Sequence, residues 1–151
     1  MKQLPKIQLA GLKVRCNNFD GSAKTEIGSL WQRFFSEGFA SKIEHKVNAD
    51  MYCVYTEYES DYRGDYTCFL GYAVSEPTAD QNLAYLEIDA DSYQTFDASG
   101  KMPESVLNKW EEIWADKSLK RAYHADFDLY KFSEAKEGQE PEVEIYLSVS
   151  E

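Results

Sequence analysis

The spacing of apolar residues changes several times along the chain, and each change marks an element. In residues 6–17 (KIQLAGLKVRCN), Leu12, Val14 and Cys16 alternate with polar positions, which predicts a strand. Asn17 to Ser22 is rich in turn formers. From Ala23 to Phe39 the spacing becomes helical, with Ile27, Leu30, Trp31, Phe34 and Phe35 on one broad stripe and Gly38 near the end. Residues 51–58 (MYCVYTEY) and 66–75 (YTCFLGYAVS) are aromatic and β-branched and read as two strands joined by a polar hairpin around Gly64. EPTADQN, around Pro77, is the one interior stretch with linker character. Residues 83–97 hold more strand material. Residues 103–116 form a second helix, with Pro103 suited to its first turn and Val106, Leu107, Trp110, Ile113 and Trp114 inward. Tyr123 to Phe132 and Val143 to Val149 are the last strands, flanking the polar loop EAKEGQEP.

This order of elements repeats. Gly21, Ile27, Trp31 and Phe35 are matched by Gly100, Val106, Trp110 and Trp114, each 79 positions further on, as 21 and 100 are. Four matches at one offset indicate an internal duplication. Each half reads strand, helix, strand, strand. The expected fold is therefore α+β: duplicated modules in one domain over residues 1–151, with halves at about 1–76 and 83–151. Each copy sets large aromatics at i and i+4, on one helix face. A seam between halves that is lined with such rings is a natural ligand site.

Composition adds three constraints. Aromatic residues reach 15%, and Tyr leads them with 11 copies. Tyr offers an apolar face and a polar tip, which suits a pocket wall. The net charge is −11, so the field repels nucleic acid and anionic membrane surfaces and favours cationic ligands or basic protein partners. Cys16, Cys53 and Cys68 lack CxxC spacing and read as buried apolar residues in a reducing compartment. No apolar run suits a signal peptide or a membrane span, so a cytoplasmic location is expected. His45 and His124 stand apart, so no metal and no cofactor is expected.

Two stretches carry candidate chemistry. In HADFDLYKF, alternation puts Asp126, Asp128 and Tyr130 on one face and Phe127 and Leu129 on the other. Facing solvent, the carboxylates carry no function. Lining the seam, a carboxylate among Tyr and Trp rings is a cation trap, with roughly 0.5–2 kcal/mol added by each ring face. In VYTEYESDYRGDY, Tyr55, Glu57 and Glu59 are expected on one strand face and Thr56 and Tyr58 on the other. The helix aromatics Trp31, Phe35, Trp110 and Trp114 suit either a core or a pocket. Phosphate-binding, zinc-protease and nucleophile-elbow motifs do not occur.

Several stretches together resemble the GyrI-like effector-binding domains, which also form the ligand-sensing halves of AraC- and MerR-type multidrug regulators. They are LWQRFF, VYTEYESDYRGDYTCFLGYAV, SGKMPESVLNKWEEIW, DFDLY and VEIYLSV. The chain also resembles stand-alone, integron-cassette-associated members. The resemblance implies two βαββ modules related by pseudo-twofold symmetry, an antiparallel sheet and two main helices. It also implies a groove at the seam for amphipathic, often cationic, aromatic compounds. In the family a Glu of the D-F-E-x-Y strand meets the ligand's positive charge; the matching residue here is Asp128, one methylene shorter. The pattern further implies Trp31, Phe35, Tyr55, Tyr66, Trp110, Trp114 and Tyr130 as pocket walls. The family's transcription factors carry a separate helix-turn-helix domain, so this chain corresponds to the sensing domain alone.

Three functions compete. The leading one is binding of hydrophobic, cationic small molecules, with a link to transcription regulation or drug response. The second is action on a protein partner, either DNA gyrase or a regulator. The third is hydrolysis of reactive small molecules, with Asp128, Asp126 or Glu57 positioning water. The ligand and the oligomeric state are not specified by the sequence.

Overall fold

A computed structural model describes residues 2–60, 63–77, 80–101, 104–133, 135 and 138–150. The strands are β1 (Lys2–Leu4), β2 (Ile7–Asn17), β3 (Lys46–Thr56), β4 (Asp65–Val74), β5 (Ala84–Ile88), β6 (Asp91–Asp97), β7 (Ala125–Tyr130) and β8 (Val143–Ser148). The helices are α1 (Ser22–Ser36), α2 (Phe39–Lys42) and α3 (Glu104–Ala115). All eight strands join one antiparallel sheet in the order β1-β6-β8-β7-β3-β4-β2-β5. Pro103 lies outside the described residues, as do parts of the stretches read as a linker and as hairpin loops.

That order is unchanged when the two halves are exchanged and the sheet is read from its other end. β2-α1-β3-β4 corresponds to β6-α3-β7-β8, which is the duplicated βαββ architecture expected from the repeat. The halves meet where β3 pairs with β7, with Cys53 opposite Asp128, Val54 opposite Phe127 and Tyr55 opposite Asp126. The short leading strands are exchanged: β1 pairs with β6 of the second half, and β5 pairs with β2 of the first. The sequence reading did not anticipate β1.

Both main helices lie on one face of the sheet. α1 covers Leu12, Cys16, Cys53, Cys68 and Leu70, and α3 covers Val143, Ile145 and Leu147. The other face has an apolar cluster of its own, including Leu9, Val54, Phe69, Ile88, Tyr93, Phe127 and Tyr146. Because the sheet curls, Tyr93 from one end of the strand order and Ile88 from the other share this cluster. Phe127 stacks on Tyr146 at 4.7 Å near its centre. Alternation thus gives β7 two buried faces, one apolar and one bearing Asp126 and Asp128.

The repeated glycines precede the helices. Gly21, with φ 84°, is the N-cap of α1, and Gly100 has φ 143°. α1 stops at Ser36, and the chain turns at Gly38 into α2 rather than continuing to Phe39. Leu107, expected inward, is 57% exposed, because α3 rests on the sheet through the narrower line Val106, Trp110 and Ile113. Among the described residues no helix is long and apolar enough to cross a membrane.

β2 and β4 approach most closely where Gly11 pairs with Gly71. A Cβ on Gly11 would sit 2.0 Å from the Leu70 carbonyl oxygen, whereas one on Gly28 in α1 meets open space. Gly11→Ala is therefore expected to lower stability by at least about 2 kcal/mol through overpacking. Gly28→Ala should raise it by roughly 0.5–1 kcal/mol. Urea denaturation measures both, and Gly11→Ala with unchanged stability would contradict this register.

Candidate functional site

The site grows from the helix-facing side of β7. Asp126 and Asp128 are two residues apart on that side, and both are 0% exposed. Their surroundings differ in kind. Asp126 Oδ1 accepts from the Ser148 backbone N–H at 2.7 Å and the Ser148 hydroxyl at 2.8 Å. Its Oδ2 accepts from the Tyr58 hydroxyl at 2.6 Å and from Arg121 Nη2 at 2.9 Å. The Arg121 side chain is 8% exposed, so the ion pair is buried. Burial works against the Arg121 charge, but the Asp126 carboxylate outweighs it and leaves Arg121 more basic than usual.

Among the described residues Asp128 has no cationic partner in contact. Its Oδ1 accepts from Trp110 Nε1 and its Oδ2 from the Tyr55 hydroxyl, both at 2.8 Å. Burial pushes the Asp128 carboxyl up to about 7, the two hydrogen bonds oppose that rise, and the Asp126 charge adds to it. Near neutral pH Asp128 thus stands between its acid and its carboxylate. Burial also raises the phenols of Tyr55, Tyr58, Tyr66 and Tyr130, which keeps them protonated as donors.

Around the two carboxylates the side chains form a closed circuit. Tyr55 meets Tyr66 at 6.0 Å, Tyr66 meets Tyr58 at 5.9 Å, and Tyr58 meets Tyr123 at 5.4 Å. The Arg121 guanidinium lies 4.3 Å from the Tyr123 ring and 5.9 Å from Trp110, and Trp110 returns to Tyr55 at 5.3 Å. Five rings and one guanidinium thus surround both acids. A second file runs beside it from α1: Phe35 to Trp31 at 5.9 Å, Trp31 to Tyr130 at 5.1 Å, and Tyr130 to Phe132 at 6.2 Å. Trp114 extends the circuit outward from Trp110 at 6.4 Å. In both copies of the repeat the first aromatic points inward and the second lies at the rim. Phe35 is 57% exposed and Trp114 is 38% exposed.

The structure therefore gathers all eight expected residues (Trp31, Phe35, Tyr55, Tyr66, Trp110, Trp114, Asp128 and Tyr130) into one neighbourhood. Tyr58 departs from expectation. β3 ends at Thr56, and Glu57 takes a left-handed conformation with φ 52°. The simple alternation stops there, so Tyr58 reaches Asp126 on the same side as Tyr55, and Glu57 does not share a strand face with Tyr55. The Arg15 guanidinium holds the turn by donating to the Glu57 carbonyl oxygen and to the Thr67 hydroxyl. Arg121 was missed because residues 116–122 lack a regular period, and Tyr123, expected to open a strand, instead takes φ 56° ahead of β7. The one available signal was an arginine five positions before a buried aspartate.

Among the described residues, side chains at the seam leave Asp126 and Asp128 without solvent exposure. A hollow of about 370 Å³ lies elsewhere, lined by Thr95, Asp97, Ser99, Glu142 and Glu144. By strand alternation Asp97 and Glu144 point to the face away from Asp128. Cys16, Cys53 and Cys68 are free and buried beneath α1, with Cys53 Sγ and Cys68 Sγ 3.7 Å apart. Among the described residues no group of three or more His, Cys, Asp or Glu side chains is placed to hold a metal.

Comparison with known proteins agrees with this architecture. Among curated proteins none matches the chain significantly. An integron cassette protein from the mobile metagenome of Vibrio cholerae, VCH_CASS2, is 28% identical, with a TM-score of 0.79 over 99% of this chain and 94% of that one. SAV2435, solved bound to tetraphenylphosphonium, is 22% identical, with a TM-score of 0.79 over 99% of this chain and 92% of that one. A putative bacterial transcription regulation protein from Staphylococcus aureus MU50 is 23% identical, with a TM-score of 0.75 over 99% and 96%. At their identities the last two establish likeness of fold. The family model of the integron-associated effector binding proteins (Cass2) matches residues 1–149, and the chain belongs to that family.

Proposed function

We propose that this protein binds amphipathic aromatic cations at the seam, with Asp128 as counter-charge and the surrounding rings as walls. The observation that carries the reading is the contrast between two neighbouring buried acids. Asp126 receives four hydrogen bonds, one of them from a cation, while Asp128 receives two from neutral donors. A buried carboxyl without a cationic partner is costly to ionise, and an arriving cation removes that cost. Trp110 and Tyr55 hold both oxygens in place and offer ring faces to the same charge. Net charge of −11 draws cations toward the protein before contact. Tetraphenylphosphonium on the similarly folded SAV2435 supports the ligand class. Because Asp128 is covered, uptake requires the rim residues Phe35 and Trp114 to move aside and Tyr55 or Trp110 to yield. Any reporting of the bound ligand to a separate regulator would follow from that rearrangement.

Tetraphenylphosphonium is expected to quench Trp fluorescence, since Trp31, Trp110 and Trp114 all lie in the proposed site. Asp128→Asn should weaken it at least about tenfold, the equivalent of roughly 1.4 kcal/mol, and should weaken a neutral aromatic compound much less. Equal losses for both would remove the electrostatic part of the proposal. Wild-type affinity for the cation should also rise with pH as Asp128 ionises, by about 30-fold between pH 5.5 and pH 8 for a group titrating near 7. A flat profile would contradict the role of Asp128.

The same carboxyl makes stability depend on pH. Its value in the folded chain is raised to about 7 from the ordinary 3.8, so the folded state binds the proton more tightly than the unfolded state. Its stabilising contribution is complete below about pH 4 and is lost as pH rises toward 7. The loss is up to roughly 1.4 kcal/mol per pH unit. Asp128→Asn should flatten this part of a stability–pH curve measured by urea denaturation. An unchanged slope in the variant would place the titration elsewhere.

A further inference from the structure

Arg121 is more than the counter-ion of Asp126. Its side chain is 8% exposed, and it spends Nη2 on Asp126. Nε and Nη1 are buried with no hydrogen-bond partner among the described residues. The neighbouring Tyr123 and Trp110 rings offer the guanidinium cation–π contact but no oxygen or nitrogen acceptor in those contacts. Nor does Asp126 need those donors, since Ser148 and Tyr58 already provide three of its four hydrogen bonds. Buried donors on a charged group are rarely left unpaired, and the acceptor that suits them best is an anionic oxygen.

Trp110 joins this group to Asp128. Its indole N–H donates to Asp128, and its ring lies beside Arg121. One aromatic wall thus has a carboxylate at one end and a guanidinium with donors to spare at the other. A free anion is repelled by a chain of net charge −11, so the anionic group must arrive attached to the cation. We infer that the site takes zwitterionic aromatic compounds, with the cationic centre at Asp128 and a carboxylate oxygen accepting from Arg121 Nη1. The inference rests on the reading of Asp128 as a cation site and extends it to a second charged contact.

Rhodamine B, which carries a free carboxylate, and its ethyl ester, which lacks it, form a matched pair of probes. Fluorescence titration of the wild-type protein at pH 8 should show the acid binding at least about tenfold tighter than the ester. Arg121→Gln alone leaves Asp126 without its cation and risks misfolding. The double variant Arg121→Gln/Asp126→Asn removes both charges together, and it should abolish the preference for the acid. Ester binding as tight as acid in the wild type, or a preference that survives in the double variant, overturns the role of Arg121. Tetraphenylphosphonium serves as the control. If it binds while the acid is not preferred, the Arg121 inference alone fails. If neither it nor either dye binds, the cation-site reading fails as well.

Discussion

The structure turns on the way one buried carboxyl is held. Asp128 sits on a central strand, opposite Cys53 across the seam between the halves, and among the described residues only Tyr55 and Trp110 donate to it. Each of those donors belongs to a different half. Tyr55 comes from β3 of the first, and Trp110 from α3 of the second. The acid thus ties the halves together through neutral hydrogen bonds, and no cation among the described residues answers its charge. Burial is what makes this consequential, because in water the same group would ionise freely and carry little energy.

Duplication supplies the scaffold, and divergence between the copies supplies the chemistry. The strand order is unchanged by exchange of halves, and the exchanged leading strands β1 and β5 bind each half to the other. Both helices bring an inner aromatic and a rim aromatic to the same face of the sheet. Among the described residues the buried carboxylates, by contrast, come from β7. Asp126 is neutralised by Arg121, so the pair adds order without adding net charge to the site. The difference between the two acids therefore gives a symmetric fold one direction of binding.

Much of this was legible in the sequence because it rests on simple periods. Alternation in residues 6–17 located β2, the aromatic and β-branched hairpin stretches located β3 and β4, and helical spacing with the repeated Gly, Trp and aromatic residues located α1 and α3. Asp128 and its ring neighbours followed from the resemblance of DFDLY and the helix motifs to a known family. What the sequence hid lies where periods break. Glu57 leaves the strand conformation, so Tyr58 could not be placed by counting. Arg121 lies in a segment without regular spacing, and Tyr123 leaves the strand conformation that was expected to begin there. β1 is only three residues long, and its pairing with β6 is a long-range choice that no local pattern encodes. Leu107 misled because a helix resting on a sheet buries a narrower stripe than its apolar residues cover.

The central claim concerns the charge state of Asp128, and a direct titration of that carboxyl tests it. Infrared or carbon-13 NMR titration, assigned by comparison with Asp128→Asn, would follow the group with and without tetraphenylphosphonium. The account predicts a midpoint near 7 in the free protein and a clear fall when the cation binds. A midpoint in the ordinary carboxylate range that the cation leaves unmoved would contradict it.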